Sequence, residues 1–177
     1  MTQHNNKMEI TVLEELEQST IELLGAIAEF SPEQFNQIPF EGSWTPAEVA
    51  EHLLKSEIGL PSLLTENTKA ANRPVDEHMK EIGSLFLDFN TKYQAIEFNR
   101  PSGKHLDRDT VMQSFAKSRA EIKHLAGTTN LSLCCMSFKF PGKGELTGWE
   151  WIYLVAVHTK RHARQLRNIL SIMNRNK

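Results

Sequence analysis

The sequence predicts an all-α fold, a four-helix bundle with one long crossover. Three observations carry that prediction. Four stretches, at 8–30, 46–61, 107–126 and 147–173, repeat apolar residues at the helical period. Two of them open on a capping box, Thr45-Pro-Ala-Glu48 and Thr147-Gly-Trp-Glu150, in which a threonine hydroxyl and a glutamate three residues on satisfy the free amides of a helix start. The connection from Thr65 to Leu106 is longer than a loop between neighbouring helices needs, which suits a bundle with one crossover. The whole chain, 1–177, has the length of a single domain.

The first helix is expected over Met8–Phe30, with Ile10, Leu13, Ile21, Leu24 and Ile27 near one face. "SPEQF" then restarts a short helix, with Ser31 as N-cap, Pro32 in the first turn and Gln34 three residues beyond the cap. The second long helix follows Thr45 and places Val49, His52, Leu53, Ser56 and Leu60 on or near one face, until Pro61 kinks or ends it. Within the long connection "DEHMKEIGSLFLDF" can hold a further helix, and "NRPSGKHLDRD" reads as loop. The third helix opens at Asp107 or Asp109, and its stripe is Val111, Phe115, Ile122 and Ala126 with Arg119 on the same side. "LSLCCMSFKF" is an extended apolar segment and "PGKGELT" a turn. The fourth helix follows Thr147, and its stripe is Trp151, Val155, His158, His162, Leu166, Ile169 and Met173. Lys160, Arg164 and Arg167 fall elsewhere, on what reads as a solvated face.

Composition narrows the function. A formal charge of −2 lacks the basic excess of a nucleic-acid binder. No apolar run is long enough to span a membrane, and the polar start "MTQHNNK" has no signal-peptide core, so the expected location is the cytoplasm. The only cysteines, Cys134 and Cys135, are adjacent and read as reduced, buried, small apolar groups.

The histidines carry the sharpest signal. His158 and His162 are four residues apart, separated by about 6 Å of rise and about 40° of rotation, so their rings can converge on one ion. Both lie on an apolar stripe, and His52 lies on the core side of the second helix. Spacing alone leaves two accounts open: three histidines hydrogen-bonded separately inside a core, or three imidazole ligands of a divalent ion such as zinc, nickel or iron with a coordination position to spare. His4, His78, His105 and His124 are expected in solvent.

"WTPAEVAEHLL", the "NRPSG" turn and "FPGKGELTGWEWIYLVAVHTKRHARQL" together resemble the DinB-like family of bacterial metal-binding proteins, over most of the chain from the first helix to about Ile172. The Trp-Thr…His-Leu start and the His-x2-Arg-His-x2-Gln ending are the most specific parts. The resemblance implies an antiparallel four-helix bundle with its long connection between helices two and three. It also implies a metal triad of His52, His158 and His162. It further implies an activity of one of two kinds, transfer of a low-molecular-weight thiol such as bacillithiol to an electrophile, or metal-dependent hydrolysis; a non-catalytic metal or small-molecule binding protein is the third reading, and a homodimer stays open. A divalent ion with a free position lowers the pKa of a bound thiol or water, so one triad serves either chemistry. The expected partner is a small-molecule substrate. Glu48 can orient a histidine or act as a base, or simply cap its helix. Gln165 can hydrogen-bond a ligand or a histidine. Arg161 and Arg119 can hold a carboxylate of a thiol cofactor or form structural ion pairs. Trp149 and Trp151 read as packing.

Overall fold

The structure, a computed structural model, describes residues 2–175, with side chains from residue 7 onward. In chain order it contains α1 (Thr2–Ala28), α2 (Pro32–Phe35), α3 (Pro46–Glu57), α4 (Leu60–Thr65), β1 (Thr68–Ala70), α5 (Met79–Phe86), a 3-10 turn (Glu97–Asn99), α6 (Arg108–Thr128), β2 (Leu133–Phe140), β3 (Gly144–Thr147) and α7 (Gly148–Arg175). The chain is predominantly helical. α7 packs against α1 and α3, and α6 packs against the same two.

The helix starts follow their sequence signals. Thr45 Oγ1 accepts from Glu48 N (3.1 Å) while Glu48 Oε2 accepts from Thr45 N (2.8 Å). The same reciprocal pair joins Thr147 and Glu150, and Ser31 and Gln34. Asp107, not Asp109, caps α6 through a 2.7 Å bond from Thr110 N. α3 ends at Glu57, and α4 restarts with a proline in its first turn.

The all-α expectation needs correction: a three-stranded antiparallel sheet in the order β1–β2–β3 sits on the helices. The extended apolar segment is β2. "GELT", read as turn, is β3, and the turn itself is confined to the residues before it; Gly142 in that turn and Gly144 at the start of β3 take φ values of +76° and +75° that side-chain-bearing residues rarely adopt. β1 pairs Thr68 with Cys135 and Ala70 with Leu133. On α1 the buried face is Val12, Leu16, Ser19, Leu23, Ala26 and Ile27, whereas Ile10 (51%) and Ile21 (59%) are exposed, contrary to the predicted stripe. Ser19, bonded to Leu16 O, occupies the central position of the true stripe and hides it from an apolar count.

The core has two apolar clusters, one centred on Leu16, Leu64, Ile82, Ile122 and Ile152, the other on Leu23, Phe35, Leu53, Phe115 and Leu166. Polar residues interrupt the helix stripes between them: Ser19 and Thr20 on α1, Glu57 on α3, Arg119 on α6 and Thr159 on α7. Arg119 forms a two-pronged bond to Glu57 (2.5 and 2.8 Å) and reaches Thr159 Oγ1 (2.9 Å) and Thr20 Oγ1 (3.0 Å). His158 and His162 lie along the same break in α7.

Candidate metal centre

His52 comes from the middle of α3, and His158 and His162 from successive turns of α7. Their Nε2 atoms converge. His158 Nε2 lies 3.2 Å from His52 Nε2 and 3.0 Å from His162 Nε2. The rings meet edge to face, with centroids 4.7–5.2 Å apart. Two nitrogens each bonded to one zinc ion at tetrahedral angles are about 3.3 Å apart. The two separations to His158 match that of neighbouring ligands on one ion, and all three ligand atoms lie within 4.8 Å of one another.

The outer nitrogens fix the inner ones. His52 Nδ1–H donates to the carbonyl of Asn99 (3.0 Å), and His162 Nδ1–H donates to Gln165 Oε1 (2.8 Å). These two rings thereby carry their protons on Nδ1, so the Nε2 atoms of His52 and His162 present lone pairs inward. A hydrogen-bond partner on the far nitrogen is how metal-binding histidines are held and made more basic. Among the described residues these three histidines are the group able to hold an ion, and no carboxylate or thiolate joins them. A neutral all-imidazole donor set suits zinc, nickel or ferrous iron better than magnesium or calcium, which prefer oxygen.

Burial sets the electrostatics. Desolvation pushes His162 down to about 3, helped by the neighbouring His52 charge, against the raising effect of the Gln165 bond. Desolvation also carries His158 well below the ordinary histidine value, followed by the charges of His162, His52, Arg161 and Arg119. His52 is lowered by desolvation and partly restored by its bond to Asn99. The rings are thus neutral and ready to ligate at physiological pH. The unfolded chain binds protons below about pH 6.5 where the folded one does not, so folding stability falls as pH drops through that window. His162 alone removes about 1.4 kcal/mol per pH unit from about 6.5 down to about 3. Urea titrations of metal-free protein at pH 7, 6 and 5 should show this slope, and the His162→Phe variant should show a shallower one; equal slopes would contradict the burial. Proton competition with an ion likewise begins lower than the unperturbed histidine value near 6.5 suggests.

The other candidates divide. Gln165 holds His162, as described. Glu48 serves its capping box. Arg119 is buried in its ion pair with Glu57. Arg161, between the two α7 histidines, donates to the carbonyls of Phe86, Asp88 (2.6 Å) and Thr91 and stacks on Tyr93 at 5.1 Å. It ties the end of α5 and the following loop to the site, where the Phe86 ring lies 5.1 Å from His158. Gly83 permits this approach of α5 to α7, since a Cβ there would sit 2.7 Å from Tyr153 Oη. Trp149 and Trp151 are buried packing residues. His105 and His124 are exposed, while His78 is half-buried at the start of α5 with its amide on Glu150, not in solvent. The His4 side chain lies outside the described ones. Burial raises the Cys135 thiol to about 12, so it stays protonated. Asn99 escaped the sequence reading: its contribution to His52 is a main-chain carbonyl, which every residue type possesses.

A predominantly helical chain that gathers three neutral histidines from two helices is a candidate metal-binding protein. The chain belongs to the DinB superfamily, whose model matches residues 15–166, a span that includes all three histidines. It is also similar to the uncharacterized protein YuaE of Bacillus subtilis (strain 168), at 27% identity over 159 residues, covering 86% of this chain and 93% of that one. No solved structure matches.

Proposed function

We propose that this protein is a metal-dependent enzyme that transfers a low-molecular-weight thiol to a small electrophilic substrate in the cytoplasm. The observation that carries the proposal is the convergence of three histidine Nε2 atoms, two of which, on His52 and His162, have their outer nitrogens already engaged. A divalent ion held there by His52, His158 and His162 supplies Lewis acidity at whatever coordination position the protein leaves free. Among the described residues no helix is long and apolar enough to cross a membrane. On this view the long helices form an antiparallel four-helix bundle and the small sheet buttresses one end.

The surroundings favour thiol over water as the nucleophile. Activating water calls for a base to take its second proton and relay it to the leaving group. The α3 carboxylates around His52 are all committed: Glu48 to Thr45 N, Glu51 to Ser102 and Lys55, Glu57 to Arg119. A thiol needs no such relay, because its one proton is lost on binding. Protein reconstituted with zinc, nickel or ferrous iron should consume thiol in the presence of monochlorobimane. Ester or amide turnover without thiol would replace the transferase reading with the hydrolase one. Silence in both assays at full metal occupancy would leave a binding protein.

A further inference from the structure

We propose that Asn99 is a positioning residue for the candidate metal centre, acting on His52 from the opposite side of the ring and held in place by Ser56. The proposal rests on the reading of the three histidines as a metal site. Asn99 ends the 3-10 turn of the long connection and is 9% exposed. Its carbonyl accepts the Nδ1 proton of His52. Its side-chain Nδ2 donates to Ser56 Oγ (3.0 Å), one turn beyond His52 on α3. Ser56 Oγ in turn donates its single proton to His52 O (2.8 Å). A hydroxyl has one proton, so the Asn99 amide must present its nitrogen to Ser56, and the orientation is settled by the bonding.

The consequence is an orphan. Asn99 Oδ1 is buried with no partner. A buried acceptor left unmet is unfavourable to folding. For stability alone a residue without that oxygen would serve better here. What the asparagine supplies is a closed circuit, from His52 Nδ1 to the Asn99 carbonyl, through the Asn99 side chain to Ser56 and back to His52 O. The circuit ties the turn to the same helix that carries the ligand. It leaves the carbonyl little freedom to swing away and keeps the His52 proton on Nδ1. Other ties also join this stretch to α3, from Lys55 Nζ to Arg100 O and from Ser102 to Glu51, but none touches His52.

Two readouts test the assignment, one of which needs no metal. In metal-free protein, long-range ¹H–¹⁵N spectra of the His52 ring report which nitrogen carries the proton. In Asn99→Ala the Nδ1–H form should give way to a mixture. Competition titration with Co²⁺ or Zn²⁺ should show affinity lowered roughly 10–100-fold, the usual effect of losing a partner that orients a ligand. Asn99→Asp removes the Nδ2 donor at nearly constant size and should also lose affinity. Glu51→Ala, which releases Ser102 and Lys55 but removes no contact of His52 or of the Asn99 side chain, should leave tautomer and affinity unchanged. A purely structural role predicts unaltered tautomer and affinity in Asn99→Ala, with stability alone changed by the loss of the Ser56 bond. Affinity and tautomer within twofold of wild type in that variant would overturn the proposal, as would an equal loss in Glu51→Ala. If wild-type protein binds neither ion, the metal reading fails separately, and the metal-free tautomer comparison still decides whether Asn99 positions His52.

Discussion

Replacing Arg119 with methionine is expected to destabilise the protein by about 3–5 kcal/mol, the scale of loss when one partner of a buried ion pair is removed. Arg119 and Glu57 are 5% and 4% exposed, and their two-pronged bond crosses from α6 to α3 between the two apolar clusters. Without the guanidinium, Glu57 keeps only a 3.3 Å bond from Ser118 Oγ, and Thr20 and Thr159 lose the donor that joins α1 and α7 to the pair. The charge left behind, rather than the bond lost, dominates the expected effect. The double variant Glu57→Leu, Arg119→Met should therefore be more stable than Arg119→Met alone, because a matched apolar pair replaces a stranded carboxylate. Urea denaturation of the wild type, both single variants and the double variant gives the coupling directly. A loss under about 1 kcal/mol for Arg119→Met would mean that water reaches Glu57 and that the pair behaves as a surface bridge.

The same belt shows what the sequence can and cannot reveal. Arg119 falls in register with Val111, Phe115 and Ile122, so its burial was legible from spacing. So were the capping boxes at Thr45 and Thr147 and the pairing of His158 with His162, because each depends on residue types at fixed offsets along a helix; that His52 joins them from another helix came from the family resemblance, since spacing alone left separately bonded core histidines equally open. The sheet was not. β1 is three residues long and pairs with residues more than sixty positions away, so nothing in its local sequence requires a strand. The exposed Ile10 and Ile21 misled because an apolar count cannot see that Ser19, bonded to its own helix, belongs inside. Arg161 and Asn99 share a further reason: the first binds main-chain carbonyls and the second acts through one, and such contacts leave no mark in side-chain chemistry. The long connection was recognised by length alone, while its service to the site, Phe86 against His158 and Asn99 against His52, depends on tertiary folding.

Loss of the three-histidine cluster is expected to have the largest functional effect. By elemental analysis, wild-type protein should purify with about one divalent ion per chain and the His158→Ala, His162→Ala double variant without it. His52→Ala alone should weaken binding by more than the roughly 10–100-fold typical of an orienting partner, since it removes a ligand itself. The two remaining nitrogens, 3.0 Å apart on one helix, leave the α3 side of the site open. His124→Ala, at an exposed position on α6, should leave metal content and activity intact. Chelation separates this effect from unfolding. The core clusters form from apolar residues and need no ion, so far-UV helical content should persist in the metal-free protein. An ion bound only by the folded chain, present at about 100 times its dissociation constant, adds about 2.7 kcal/mol. For a domain of this size that corresponds to a fall of about 5–10 °C in Tm on chelation. Unchanged metal content in the double variant would sink the site assignment. Global loss of helix on chelation would make the ion a structural element and remove the basis for a catalytic reading of His52, His158 and His162.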